Sequence, residues 1–214
     1  VNGGTLRTTL ANGANVNSWD DLSGNAFHMD SKVNQPVYNS SGNYIAFTTD
    51  MLYNTSHSVL SGNEARTVIL VACTDNNSTD YDFLQIGKYV TADSWLMNGN
   101  GANVYLQVYS TYSRIIPTPV NGTKYIYTTA HPATGNAVTN LTMRWNGNGG
   151  LAQTTSGTLT ANTSTGIFIG GYYDSSTHAR GSLRGYEIIV YNRLLNTGEI
   201  WQVEQWLKNK YSII

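Results

Sequence analysis

Gly185-Tyr186-Glu187-Ile188-Ile189-Val190-Tyr191, then Asn192-Arg193-Leu194-Leu195, then Asn196-Thr197-Gly198-Glu199, carries two structural signals in one stretch. The first seven residues are of strand length and hold the short β-branched run Ile188-Ile189-Val190 just before a polar corner. The last four read as a capping box: the Asn196 side chain can accept from the Glu199 N–H while the Glu199 carboxylate reaches back. Ile200, Val203 and Leu207 follow at i, i+3 and i+7, with Trp206 beside Val203. The spacing predicts an amphipathic helix from about 197 to 209, laid on a sheet, with packing as its role.

Further upstream the same strand signal recurs at 44–47, 67–73, 83–86, 103–109, 124–129, 141–145 and 166–170. Between these lie turn clusters at Asn12-Gly13, Ser41-Gly42-Asn43, Asn98-Gly99-Asn100-Gly101, Asn121-Gly122 and Asn146-Gly147-Asn148-Gly149-Gly150. Strands repeated at short intervals without helical crossovers predict antiparallel sheets packed face to face. No Pro/Ser linker or charge run divides the chain, which predicts one domain over residues 1–214. The chain begins at Val1 rather than Met and is expected to be part of a longer protein.

Composition narrows the partners. Charged residues make up 12% of the chain, about half the roughly 25% of ordinary soluble proteins. Uncharged Asn, Ser, Thr and Gly fill the polar positions instead. With 12 Lys and Arg against 13 Asp and Glu, there is no basic footprint for nucleic acid. No apolar run approaches the roughly 18 residues of a membrane span. The single cysteine, Cys73, lies in the apolar run Thr67-Val-Ile-Leu-Val-Ala-Cys73 and reads as a small core residue rather than a nucleophile.

Two stretches resemble the concanavalin A-like lectin/glucanase superfamily in its laminin-G-like form. One is Val16-Asn-Ser-Trp19-Asp-Asp21-Leu-Ser23-Gly24-Asn25 with His28 and Gln35-Pro36-Val-Tyr38. The other is Ile169-Gly170-Gly171, Gly185 to Leu195, and Glu199, Val203, Glu204, Leu207, Lys210 and Tyr211. The resemblance implies an all-β jelly-roll sandwich of two antiparallel sheets with a short C-terminal α-helix, of the kind found in phage structural and bacterial surface proteins. Residues Val1 to Leu10 match the family's opening apolar strand weakly. Glu187 and Arg193 bracket a strand end, where pairing with turn backbone would fix the corner before the helix. Trp19 and Tyr191 are rings suited to closing the ends of a core.

Catalytic motifs are lacking. The superfamily's glucanases align acids as E-x-D-x-E on one strand, whereas Glu occurs here only at 64, 187, 199 and 204. Asp80-Tyr81-Asp82 sets two carboxylates at strand spacing, but in a stretch of Asn and Thr that reads as loop. His28, His57, His131 and His178 are scattered, with no nucleophile elbow or zinc spacing. A non-enzymatic chain is expected, with a glycoside hydrolase or lyase that uses other acids as the alternative.

Two ligand classes remain. Asp75, Asn77, Thr79, Asp80 and Asp82 place hard oxygen ligands close together, a calcium candidate without the EF-hand Gly and Glu. Carbohydrate is the leading expectation, because sugars lay C–H faces on rings while amides and carboxylates take their hydroxyls. In Asn103-Val-Tyr105-Leu-Gln107-Val-Tyr109, alternation puts Tyr105, Gln107 and Tyr109 on one face and apolar residues on the other. Trp95, Asn98, Asn100 and Tyr112 sit at the ends of that stripe. A second cluster, Tyr172, Tyr173 and Asp174 with His178, falls in a loop after a core strand. The expected partner is a glycan or cell-surface polysaccharide outside the cell. The same stripe would also serve contacts between copies of the chain or neighbouring virion subunits.

Overall fold

A computed structural model describes residues 10–56, 64–88, 95–100, 103–108, 112–116, 118–133, 141–149 and 166–214. In chain order its strands are β1 (Ser31–Val33), β2 (Val37–Asn39), β3 (Tyr44–Thr48), β4 (Met51–Asn54), β5 (Arg66–Thr74), β6 (Asp80–Ile86), β7 (Trp95–Asn100) and β8 (Asn103–Val108). There follow β9 (Tyr112–Ile116), β10 (Tyr125–His131), β11 (Thr142–Trp145), β12 (Asn148–Gly149), β13 (Ile167–Ile169), β14 (Gly171–Tyr173), β15 (Thr177–Ala179) and β16 (Ser182–Tyr191), then helix α1 (Thr197–Tyr211). The front sheet runs β1-β4-β13-β6-β7-β8-β9 and the back sheet β12-β11-β10-β5-β16-β3-β2; β14 and β15 form a separate hairpin. Every strand pairing among the described residues is antiparallel.

The core lies between the sheets. Ile45, Phe47, Val68, Leu70, Ala72 and Tyr127 from the back meet Leu52, Phe83, Ile86, Trp95, Met97 and Ile169 from the front. Alternation sends Ile69 and Val71 of β5 to the other side of the back sheet, where they meet Val203, Leu207 and Tyr211 of α1. All nine residues of β5 are therefore buried. Cys73 is a buried free thiol, and burial pushes its pKa up to about 11.

Helix α1 starts as the sequence requires. Asn196 Oδ1 accepts from Glu199 N at 2.9 Å, and Asn196 N donates to Glu199 Oε2 at 2.9 Å. It runs two residues past the expected end and stops where Ser212 turns left-handed, φ 53°. The corner differs from expectation, because Glu187 and Arg193 pair with helix side chains rather than turn backbone. Glu187 Oε2 accepts from Lys210 Nζ (2.8 Å) and Tyr211 Oη (2.7 Å), while Arg193 makes a two-pronged contact with Glu199 (2.7 and 3.0 Å). Trp19 closes one end of the core at 6% exposure, and Asp21 ties its hairpin by accepting from Ser23 N and Phe27 N. Tyr191 lies instead on the helix side of the back sheet, packed against the buried residues beneath α1.

Two stretches read as turn or loop are strand. Residues 98–100 belong to β7, and Asp80 to Asp82 open β6. The Gly99 position shows why a glycine belongs inside that strand: a Cβ there would come within 1.9 Å of the Tyr81 ring. Gly99→Ala is expected to force Tyr81 away from Phe83 and lower stability by about 1–3 kcal/mol, the usual cost of overpacking. Chemical denaturation would read this as a lower midpoint with an unchanged slope.

Candidate functional site

Register assigns the outer face of the front sheet. Paired residues in an antiparallel ladder share a face, and the pairs are Asp80↔Asn100, Asp82↔Asn98, Gln85↔Leu96, Asn98↔Tyr105 and Leu96↔Gln107. Asp80, Asp82, Asn98 and Tyr105 thus form one polar group on the side away from the core, with Asn100 and Gln107 in the same register rows. Tyr105 is half-buried, and its hydroxyl oxygen accepts from Asn103 Nδ2 at 3.4 Å.

The stripe expected from sequence is corrected at one end. Trp95 is 0% exposed and belongs to the core, because it pairs with Val108 in the inner row while Asn98 lies in the outer one. Tyr112 is also paired with Val108, in the row of Trp95 rather than that of Tyr105. Tyr109 lies outside the described residues.

The second expected cluster is the β14–β15 hairpin, and it folds over this outer face. Gln85, buried on β6, reaches out and grips its main chain. Gln85 Oε1 accepts from Tyr173 N at 2.7 Å, and Gln85 Nε2 donates to Tyr173 O at 3.0 Å and Gly87 O at 2.8 Å. Within the hairpin the two strands leave no room at Gly171, where a Cβ would lie 2.2 Å from the His178 carbonyl oxygen. So seated, Tyr173 stacks on Phe168 (5.6 Å between centroids, 20°), and Phe168 stacks on Tyr53 (5.9 Å, 14°). Lys88 Nζ lies 5.3 Å from the Tyr173 ring centre. Tyr172 stacks on His178 at 4.7 Å, and the Arg180 guanidinium stands 4.8 Å from the Tyr172 ring.

Charges at the hairpin are mutually arranged. Asp174 closes its turn by accepting from Ser175 N and Ser176 N, and His178 Nε2 lies 3.0 Å from the same carboxylate. These contacts, the Ser175 amide foremost, hold the Asp174 pKa at about 2. Arg180 lies 3.5 Å from Asp80. Asp82 is 2% exposed, and desolvation raises its pKa to about 7, opposed by Arg180 and His178 and reinforced by Asp80. The two carboxyls are unlike: one exposed and ion-paired, the other enclosed.

The expected calcium loop is divided. Asp75 accepts from Arg184 Nε at 3.0 Å, and Asn77 is bound to Asn121 Oδ1 and Pro119 O, both at 2.9 Å. Thr79 is exposed, whereas Asp80 and Asp82 stand on the outer face of β6. Among the described residues, no group of three or more His, Cys, Asp or Glu is arranged to hold a metal ion.

One feature is unmatched by any sequence expectation. A cavity of about 440 Å³ lies between α1 and the end of β16, lined by Tyr191, Leu195, Glu199, Gln202 and Trp206. Trp206 is 43% exposed and Trp201 56%. Both lie off the Ile200/Val203/Leu207 stripe, and that offset is the signal by which they could have been found.

No protein-family model matches the chain, and no curated protein matches it in sequence. Solved structures do match in fold. The receptor binding domain of botulinum neurotoxin D superposes with a TM-score of 0.59 at 10% identity, over 90% of this chain and 52% of that one. The serotype D ligand binding domain in complex with N-acetylneuraminic acid gives 0.58 at 10% identity, over 90% and 50%. Trypanosoma rangeli sialidase in complex with sialic acid gives 0.63 at 13% identity, over 94% and 32%. The chain therefore spans about half of the toxin domains and about a third of the sialidase. No helix among the described residues is long and apolar enough to cross a membrane.

The glutamine grip yields a direct expectation. Gln85→Leu would leave the Tyr173 N–H and C=O without their Gln85 partners at a half-buried site, at a cost of about 1–3 kcal/mol. Hydrogen exchange at the Tyr173 amide should accelerate well beyond that in the β5 amides; equal acceleration everywhere would mean the hairpin is held by something else.

Proposed function

We propose that this chain is a non-catalytic carbohydrate-recognition module of laminin-G-like build, carried by a surface-exposed or secreted protein such as a phage virion or bacterial surface protein. The observation that carries the reading is the hairpin face. Tyr172 and Tyr173 are half-buried rings held in place by stacking, Asp174 follows them at the hairpin turn, and Tyr105 lies on the outer face of the same sheet. Rings fixed in advance lose little entropy when a sugar ring lies on them, and carboxylate and phenol oxygens take hydroxyl hydrogens. The toxin and sialidase structures support the same direction, since the first is a receptor binding domain and the others are complexes with sialic acid.

The test is a glycan array of neutral and sialylated oligosaccharides, followed by calorimetry on the strongest hit. Tyr172→Ala with Tyr105→Ala is expected to weaken binding at least tenfold, roughly 1.4 kcal/mol. The melting temperature should move by less than about 4 °C, the shift that about 1 kcal/mol makes in a chain of this size. Silence across the array, or full binding by the double variant, would remove this face as the glycan site.

A further inference from the structure

Asp82 on β6 and Asn98 on β7 are cross-strand partners, and each holds a buried oxygen without a hydrogen-bond partner: Asp82 Oδ2 and Asn98 Oδ1. An ionised carboxylate and an amide oxygen are both acceptors, so neither can satisfy the other. Buried acceptors left unpaired in this way are costly. One hydrogen placed between them removes both deficits at once.

We infer that Asp82 is a protonated carboxylic acid whose Oδ2–H donates to Asn98 Oδ1, and that loss of this proton draws Arg180 off the Tyr172 ring, resetting the hairpin face. Burial of Asp82 to 2% exposure works in the same direction, favouring the neutral acid. The charged and titratable groups around the pair come from each neighbouring element. Asp80 lies on the same strand, Tyr105 pairs with Asn98 from β8, and His178 and Arg180 face Asp82 from the hairpin side, His178 itself bound to Asp174. With Asp82 neutral, Arg180 is engaged by exposed Asp80 and by Tyr172. Once the proton leaves to water, a buried anion beside Arg180 outcompetes an exposed one, because Coulomb attraction is screened less in the interior. The consequence for ligand binding rests on the proposed glycan role of the hairpin; the shared proton does not.

The deciding experiment is a carbon-detected NMR titration of the Asp82 carboxyl from pH 4 to 9 in a His178→Phe background, which keeps a ring on Tyr172 but removes the imidazole stacked there, with the Tyr172 ring protons as reporter of Arg180. The expected result is an Asp82 midpoint near 7, where its pKa is raised, with the Tyr172 shifts moving at the same midpoint. Asp82→Asn supplies a permanent N–H in place of the acid O–H. In that variant the Tyr172 shifts should stay flat across the range. A folded-state pKa above the unfolded one gives stability that is fully present below about pH 4 and lost as pH rises through about 7. The wild-type melting temperature should therefore fall over that window, the Asp82→Asn melting temperature should not, and the variant should be the more stable at pH 8. An Asp82 midpoint below 5 would overturn the inference, showing instead an ionised carboxylate met by an Asn98 amide turned the other way round. So would Tyr172 shifts that ignore the Asp82 transition. Should Asp82→Asn fail to fold, the titration with Asp82 intact decides alone. Array binding without an Asp82 midpoint near 7 sinks only this inference, and the midpoint without array binding sinks only the glycan reading.

Discussion

Strand β5 has no exposed side, and the rest of the structure is arranged around that requirement. Val68, Leu70 and Ala72 must be covered by the front sheet, while Ile69 and Val71 must be covered by something on the back. Helix α1 meets the second need. Its apolar residues Val203, Leu207 and Tyr211 take the outward β5 side chains, and two enclosed carboxylates hold it there. Glu204 is bound by Arg144 (2.9 and 3.1 Å) and Glu187 by Lys210 and Tyr211. Buried ion pairs add little net stability over apolar packing, but removing one partner leaves a charge with nowhere to go. With the back face closed by the helix, the front sheet's outer face is where the hairpin and its polar neighbours lie.

That division explains what was legible beforehand. Strands β5 and β16 and helix α1 were readable because each repeats an apolar signal at its own period, and the Asn196/Glu199 cap marks the boundary between them. Strand β7 was misread because Asn98-Gly99-Asn100 has turn composition. Gly99 serves the Tyr81 ring instead of a turn, and that need arises from a different strand. Placing Trp95 with the polar stripe followed from the same error: without the strand there was no alternation to send it inward. The Tyr172–Asp174 cluster was found from its composition, but its anchor was not. Gln85 and Tyr173 are 88 residues apart, and nothing local to either predicts that they meet.

Charge placement is a second theme. A chain with only 12% charged residues does not scatter them evenly. Asp80, Asp82, Asp174, Arg180 and His178 act on one another across β6 and a single hairpin. Their fields are felt because Asp82 sits away from water, whereas the more exposed Arg193–Glu199 pair at the helix corner acts mainly as geometry, through the cap it completes.

The Gln85 grip holds the main chain of Tyr173 and makes no demand on the side chains around it. Positions 172 and 178 can thus be exchanged without breaking the grip that seats the loop displaying them. Such an attachment separates the inheritance of a scaffold from the drift of its specificity, and a lineage carrying it could turn over binding preferences while the two sheets stayed as they are.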